Sequence, residues 1–305
     1  MSTQLEYIVE RISSLNLLHA KKLKNNIRKS DNEYFIRANQ FLLKYDALLM
    51  AQSKTMDYAI DCYLQMLADV NYESIQFIHS GEYSNKWFVE VNKRVYNNPE
   101  VMEYYMHGLL LSQFLWRHHY HILLFFNRII QENKNNIGSY LEVGGGHGLY
   151  ISEALEIVGN KAKYDLVDIS KSSIDIARKM IENDNVTFIL SDIADYNYAE
   201  KYDFITMGEV LEHVEDPILL LKKLFTLLNN NGRLFITTPT NAPAIDHIYL
   251  FNNADEIREV ILAAGFEIES EFCIYSEDIP AELAEKYKVS MMYAGVLRKS
   301  QVVKT

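Results

Sequence analysis

Apolar residues recur every three or four positions through the first 135 residues, as in Leu5, Ile8, Val9 and Ile12, then Phe35, Ala38, Phe41, Leu42 and Tyr45. That is the period of a helix with one buried face. The half holds two glycines, Gly81 and Gly108, and one proline, Pro99, so few breaks are predicted. Asp31 ahead of "NEYFIRANQFLLKYDALLMA" suits an N-cap, and Asn98 followed by Pro99 suits another. From Pro99 the pattern predicts one long helix to about Gln131, apolar nearly all round and therefore central. Its polar exceptions are His107, Gln113, Arg117, His118, His119 and His121. On a continuous helix Gln113, Arg117 and His121 share a face, being four apart.

The pattern changes after the polar run "QENKNNIG" at 131–138, which divides a helical half (1–135) from a second domain (136–305). Strand-like runs follow: "SYLEVGG", "KYDLVDI", "VTFILSD", "YDFITMG", "RLFITTP", "FEIESEFCIY" and "VSMMYAGVLR". Helix-like segments at 149–158, 171–182, 194–199, 216–229 and 254–264 separate them. Apolar strands alternating with helices predict an α/β fold, a mainly parallel sheet wound on both faces. The last two runs have only a short link, which suits an antiparallel pair.

Composition narrows the function. The net charge is -11, from 41 acidic against 30 basic residues. An acidic chain lacks the cationic surface that drives nucleic-acid binding, so no nucleic-acid partner is expected. No signal-peptide pattern and no apolar run of roughly 20 residues occurs, so no membrane segment is expected. Cys62 and Cys273 are far apart and flanked by apolar residues, which points away from disulfides and toward a reducing, cytoplasmic setting.

Candidate chemistry gathers at the ends of the strand-like runs. "YLEVGGGHGLY" places Gly144, Gly145, Gly146 and Gly148 after the first run, where ligands of open α/β sheets bind. A glycine loop alone fits a phosphate, a dinucleotide or a ligand without phosphate. No Walker lysine follows, which excludes a P-loop, and Glu142 within the first run fits a dinucleotide fold poorly. Asp168 ends the second run, placed to accept from both hydroxyls of a ribose. Asp192 ends the third, placed either to accept from an adenine amino group or to cap a helical turn. His147, inside the loop, reads mainly as part of its packing.

Taken in order and spacing, "LEVGGGHG", "DLVDIS", "LSDI" and "GEVLEHVEDP" resemble class I methyltransferases that use S-adenosylmethionine. The resemblance covers about residues 138–298 and implies a seven-stranded Rossmann-like sheet with a reversed last strand. It implies that Glu142, Gly144, Gly146 and Gly148 hold the methionine part, and that Asp168 binds the ribose with Ile169 against adenine. Asp192 and Ile193 would take the adenine, and Glu209 would face the sulfonium. The expected activity is methylation of oxygen or nitrogen on a small-molecule acceptor. Two alternatives stay open: cyclisation of the cofactor with release of methylthioadenosine, and metal-dependent 2′-O-methylation of RNA.

Four further groups, Glu209, Glu212, His213 and His247, could converge on a divalent ion. The set resembles that of ubiquinone-pathway and small-RNA methyltransferases. The favoured reading is metal-free, with His213 or His247 as general base and Glu209 beside the methyl group, since histidine titrates near neutral pH. The helical half carries no assignable motif. It reads as a lid over the acceptor or a homodimer surface.

Overall fold

A computed structural model describes residues 3–197 and 200–300. The helical half comprises α1 (Gln4–Leu15), α2 (Leu17–Arg28), α3 (Asn32–Ala51), α4 (Met56–Ser80), α5 (Phe88–Val91), a π-helical turn (Asn92–Tyr96), α6 (Pro99–Leu115) and α7 (Arg117–Asn133). Asp31 caps α3 by accepting from the Tyr34 N–H at 2.8 Å, and Asn98 caps α6, with Pro99 at its first position. Both caps are those predicted.

The long helix from Pro99 to Gln131 does not form. It breaks at Trp116, whose backbone is extended (φ -103°, ψ 115°). Local partners take up the freed polar groups: the Trp116 indole donates to the Tyr63 hydroxyl at 2.9 Å, and Gln113 Nε2 donates across the break to the His119 carbonyl at 3.2 Å. The expected shared face is therefore lost. Gln113 lines the main cavity, whereas Arg117 and His121 line a small surface pocket beside Asp31.

The second half holds β1 (Ser139–Val143), α8 (Leu149–Val158), β2 (Lys163–Asp168), α9 (Lys171–Ile181), β3 (Val186–Leu190), β4 (Tyr202–Gly208), α10 (Pro217–Leu227), β5 (Leu228–Thr240), α11 (Ala254–Ala263), β6 (Phe266–Tyr275), α12 (Ala281–Lys286) and β7 (Met291–Lys299). The seven strands run β3-β2-β1-β4-β5-β7-β6. The first five are parallel, and β7 inserts antiparallel to both β5 and β6. The expected α/β sheet with a reversed last strand is thus observed. The helix-like segment at 194–199 is not helical where described: residues 193–195 form a turn, and 198–199 lie outside the described residues. Asp192 and its neighbours satisfy their backbone locally there.

The strand order reverses between β1 and β4, which puts the switch point at the glycine loop. Helices of the first half cover that end. Phe126 of α7 packs edge-on to Tyr150 at 4.7 Å and to Phe235 of β5 at 5.1 Å, so one apolar core runs from the helices into the sheet. Among the described residues no helix is long and apolar enough to cross a membrane.

Candidate active site

The loop after β1 needs its glycines for backbone shape. Gly144, Gly146 and Gly148 have φ of 63°, 52° and 74°, a region that side-chain-bearing residues avoid. A Cβ on Gly144 would lie 2.5 Å from Val210, one on Gly145 2.7 Å from Leu166, and one on Gly148 2.7 Å from Ile181. On Gly146 a Cβ would meet only the Met106 methyl, at 3.6 Å. Three of the four glycines thus let neighbouring elements close up, while Gly146 leaves backbone open to the cavity.

Two buried acids tie the loop down. Glu142 accepts from the Ile151 N–H in the first turn of α8 at 2.6 Å. Burial raises its pKa to about 8, which that hydrogen bond partly opposes. Asp168 accepts from Gly146 N–H at 3.0 Å and Ser170 N–H at 2.7 Å, and burial raises it to about 6. Asp192 accepts from the Ala194 N–H at 2.8 Å, the turn-capping role that its position also suggested.

A cavity of about 1390 Å³ opens over the switch point. Glu142, Gly144, Gly146, His147, Glu209, His213 and His247 are on its wall. Gly148, Asp168, Ile169, Asp192, Ile193 and Glu212 are not. The Met106 thioether, 3.6 Å from the Ser173 hydroxyl, sits between Gly146 and α9.

Glu209, at the end of β4, is a non-glycine residue at φ 55°. Such a conformation costs energy and persists only where surroundings enforce it. Thr237 does so: Glu209 N–H donates to its carbonyl at 3.0 Å, and its hydroxyl donates to Glu209 Oε1 at 2.6 Å. Burial raises the Glu209 pKa to about 7.

Beyond it, a 3₁₀ turn (Leu211–His213) carries Glu212 and His213. Glu212 Oε2 accepts from Thr238 at 2.8 Å, while Oε1 is buried without a hydrogen-bond partner. His213 Nε2 is 3.7 Å and His247 Nε2 4.0 Å from that same Oε1. His213 Nδ1 lies 3.0 Å from the Asp246 carbonyl, which favours a proton on Nδ1 and a lone pair on Nε2. Burial pushes Glu212 well above the carboxylate range and lowers His247 to about 4. Among the described residues, the ligand-capable atoms within 4.8 Å of one another here are those of Glu212, His213 and His247. Glu209 is not in that group. Thr237 donates to its carboxylate instead.

Sequence reasoning missed what holds this cluster. The loop 241–248 is gripped by the segment 83–105 of the helical half. Asn85 Nδ2 donates to the Ile245 carbonyl at 3.0 Å, and Arg94 donates to the same carbonyl at 2.7 Å. Ala242 N–H donates to the Tyr83 hydroxyl at 2.9 Å. Tyr105 and Tyr96 donate to the two oxygens of buried Asp246 at 3.1 and 3.3 Å. Asp246 stands one residue before His247, the only local signal that it belongs here. Removing both hydroxyls (Tyr96→Phe with Tyr105→Phe) is expected to lower turnover about tenfold through misplacement of His213. Binding of adenosylhomocysteine should hold; steady-state kinetics beside calorimetry check both.

A sheet of this order, with a glycine loop after β1 and acids closing β1, β2 and β4, defines the class of S-adenosylmethionine-dependent methyltransferases. Residues 115–271 match the family described as a methyltransferase domain, and the chain belongs to it. The donor set fits the cofactor of that class: a backbone cradle, acidic partners and no phosphate-binding lysine. A malonyl-[acyl-carrier protein] O-methyltransferase of Ilyobacter polytropus is 33% identical over 99 residues, 32% of this chain and 37% of that one. A ubiquinone biosynthesis O-methyltransferase of Actinobacillus pleuropneumoniae is 34% identical over 119 residues, 36% of this chain and 50% of that one. The match therefore spans half or less of these relatives. The fold of mitomycin 7-O-methyltransferase MmcR is similar (TM-score 0.53, 11% identity, 76% of this chain and 68% of that one). So is that of the N-methyltransferase NodS from Bradyrhizobium japonicum, solved with S-adenosyl-L-homocysteine (TM-score 0.50, 13% identity, 70% and 98%).

Proposed function

We propose that this chain transfers a methyl group from S-adenosylmethionine to an oxygen or nitrogen of a small molecule. One observation carries the reading: a single cavity joins the glycine loop and Glu209 to His213 and His247. The cofactor supplies an electrophilic methyl carbon. Glu142, Gly144, Gly146 and Gly148 shape the seat of its methionine end; Asp168 and Ile169 take the ribose and adenine, with Asp192 and Ile193 at the adenine's outer edge. His247, neutral at physiological pH because burial lowers it to about 4, receives the acceptor's proton. Asp246, whose charge favours the protonated ring, stabilises the resulting imidazolium. The helices exclude water from the reaction. The test is mass spectrometry of the nucleoside product with a panel of phenols, catechols and amines. Adenosylhomocysteine with a methylated acceptor supports the reading; methylthioadenosine overturns it in favour of cyclisation.

Glu209 gives this reading a pH signature. Below about pH 7 its carboxyl is protonated and attracts no cation; above that it is ionised and attracts a sulfonium. Affinity for S-adenosylmethionine relative to adenosylhomocysteine, whose sulfur is uncharged, should rise roughly tenfold from pH 6 to pH 8. Glu209→Gln should flatten that ratio. Calorimetry at both pH values checks it, and an unchanged ratio in the variant would remove Glu209 from the sulfonium.

A second reading is favoured by the unpartnered Glu212 Oε1: a divalent cation held by Glu212, His213 and His247. It would draw an acceptor oxygen close and lower its pKa. Loss of turnover on dialysis against a chelator, restored by Mg²⁺, Mn²⁺ or Zn²⁺, supports this reading. Full turnover after dialysis leaves the metal-free base.

A further inference from the structure

The cavity is larger than the chemistry just described requires. Ligand pockets usually hold about 300–1,000 Å³, and this one holds about 1390 Å³. That space takes in the cofactor's methionine end, beside the glycine loop and Glu209, together with the acceptor. The remaining space runs along α4. Leu67, Val70, Asn71, Ser74, Ile75 and Ile78 line it, and their spacing of three and four puts them on one face of that helix. Four of the six are apolar, and the Ser74 hydroxyl is spent on the Val70 carbonyl at 2.7 Å. The face passes from buried Leu67 to Ile78 at 79% exposure. The eleven helical rises from Leu67 to Ile78 make that track about 16 Å long. Leu18 of α2 (92% exposed) and Tyr287 (66% exposed) also line the cavity. Large apolar side chains that stay exposed where they flank a cavity mark a binding surface. The track is continuous with the site, lining the same cavity as His213 and His247.

We infer that the acceptor is amphipathic and elongated: a compact nucleophilic head at the histidine cluster joined to a hydrocarbon segment lying along α4. This rests on the methyltransferase reading for what the head does, and on the track alone for the tail. The hydrocarbon is recognised by burial of its methylenes, so affinity rises with chain length until the track is filled.

The test measures binding and needs no turnover. Protein saturated with adenosylhomocysteine is titrated calorimetrically with the methyl, butyl and octyl esters of 4-hydroxybenzoate. The octyl ester is expected to bind at least about tenfold more tightly than the methyl ester. In the variant combining Ile75→Lys and Ile78→Lys that gain should disappear, with methyl-ester binding unchanged. Both sites are exposed, so the fold should tolerate lysine. Should the double variant lose adenosylhomocysteine binding, Leu18→Lys on the cavity wall replaces it with the same expectation. Equal affinity for the three esters, or a gain that survives these substitutions, overturns the inference. Failure of the wild-type protein to bind adenosylhomocysteine would instead overturn the methyltransferase reading, whatever the esters show.

Discussion

His247→Ala should lower kcat by about 100- to 1000-fold while adenosylhomocysteine affinity stays within about twofold, since a positioned general base is worth two to four powers of ten. The imidazole lies on the cavity wall, edge-on to His213 with ring centres 4.8 Å apart, and its Nε2 is 4.0 Å from a buried carboxyl. Nothing about its position links it to the glycine loop, so removing it should spare the cofactor. Burial lowers it to about 4, so it is unprotonated at neutral pH. The wild-type rate should therefore not fall on account of this group until the pH approaches 5. Single-turnover measurements with quantified adenosylhomocysteine separate the chemical step from product release. Full turnover with full acceptor affinity in the alanine variant would take His247 out of the mechanism. His213→Ala should be less severe for proton transfer. It should nonetheless disturb His247, because the two rings share the Glu212 carboxyl.

Much of the sheet domain was legible because its signals are local. Strand runs bounded by glycines, acids at strand ends and an alternating helical period each need only ten or so neighbouring residues. The break at Trp116 was not legible. "SQFLWRHHYHILLFF" contains no glycine or proline, and the features that stabilise the break, the Tyr63 hydroxyl and the His119 carbonyl, depend on the fold. The same holds for Asp246. Its donors Tyr96 and Tyr105 are 150 and 141 positions away in the chain, and no spacing rule reaches that far. Asp192 shows the opposite problem. Its local signal supported two roles, and the Ala194 N–H satisfies one of them without a ligand. Glu209 is singled out by motif, yet its left-handed backbone was not predictable, since it depends on Thr237 of the neighbouring strand.

Gly144→Ala should be the most damaging single methyl group in the glycine loop. Two costs add there. A left-handed backbone, φ 63°, penalises alanine by about 1–2 kcal/mol. The new Cβ would also lie 2.5 Å from Val210 Cγ2, an overpacking that costs about 1–3 kcal/mol more. Val210 directly precedes the turn that carries Glu212 and His213, so relief of the clash displaces that turn as well as the loop. Gly81→Ala isolates the first cost, because Gly81 has φ 74° and nothing within 4 Å of an added Cβ. Gly146→Ala shares the backbone cost and meets only Met106 in ordinary contact, but it faces the cavity. Thermal unfolding should therefore rank Gly144→Ala well below the other two, by roughly 5–10 °C. Adenosylhomocysteine affinity should fall more than about tenfold for Gly144→Ala, measurably for Gly146→Ala, and not at all for Gly81→Ala. If Gly144→Ala is as stable as Gly81→Ala and binds the product equally well, the close approach of Val210 does not set the shape of this loop. The cradle must then owe its form to Asp168 and the Gly146 N–H instead.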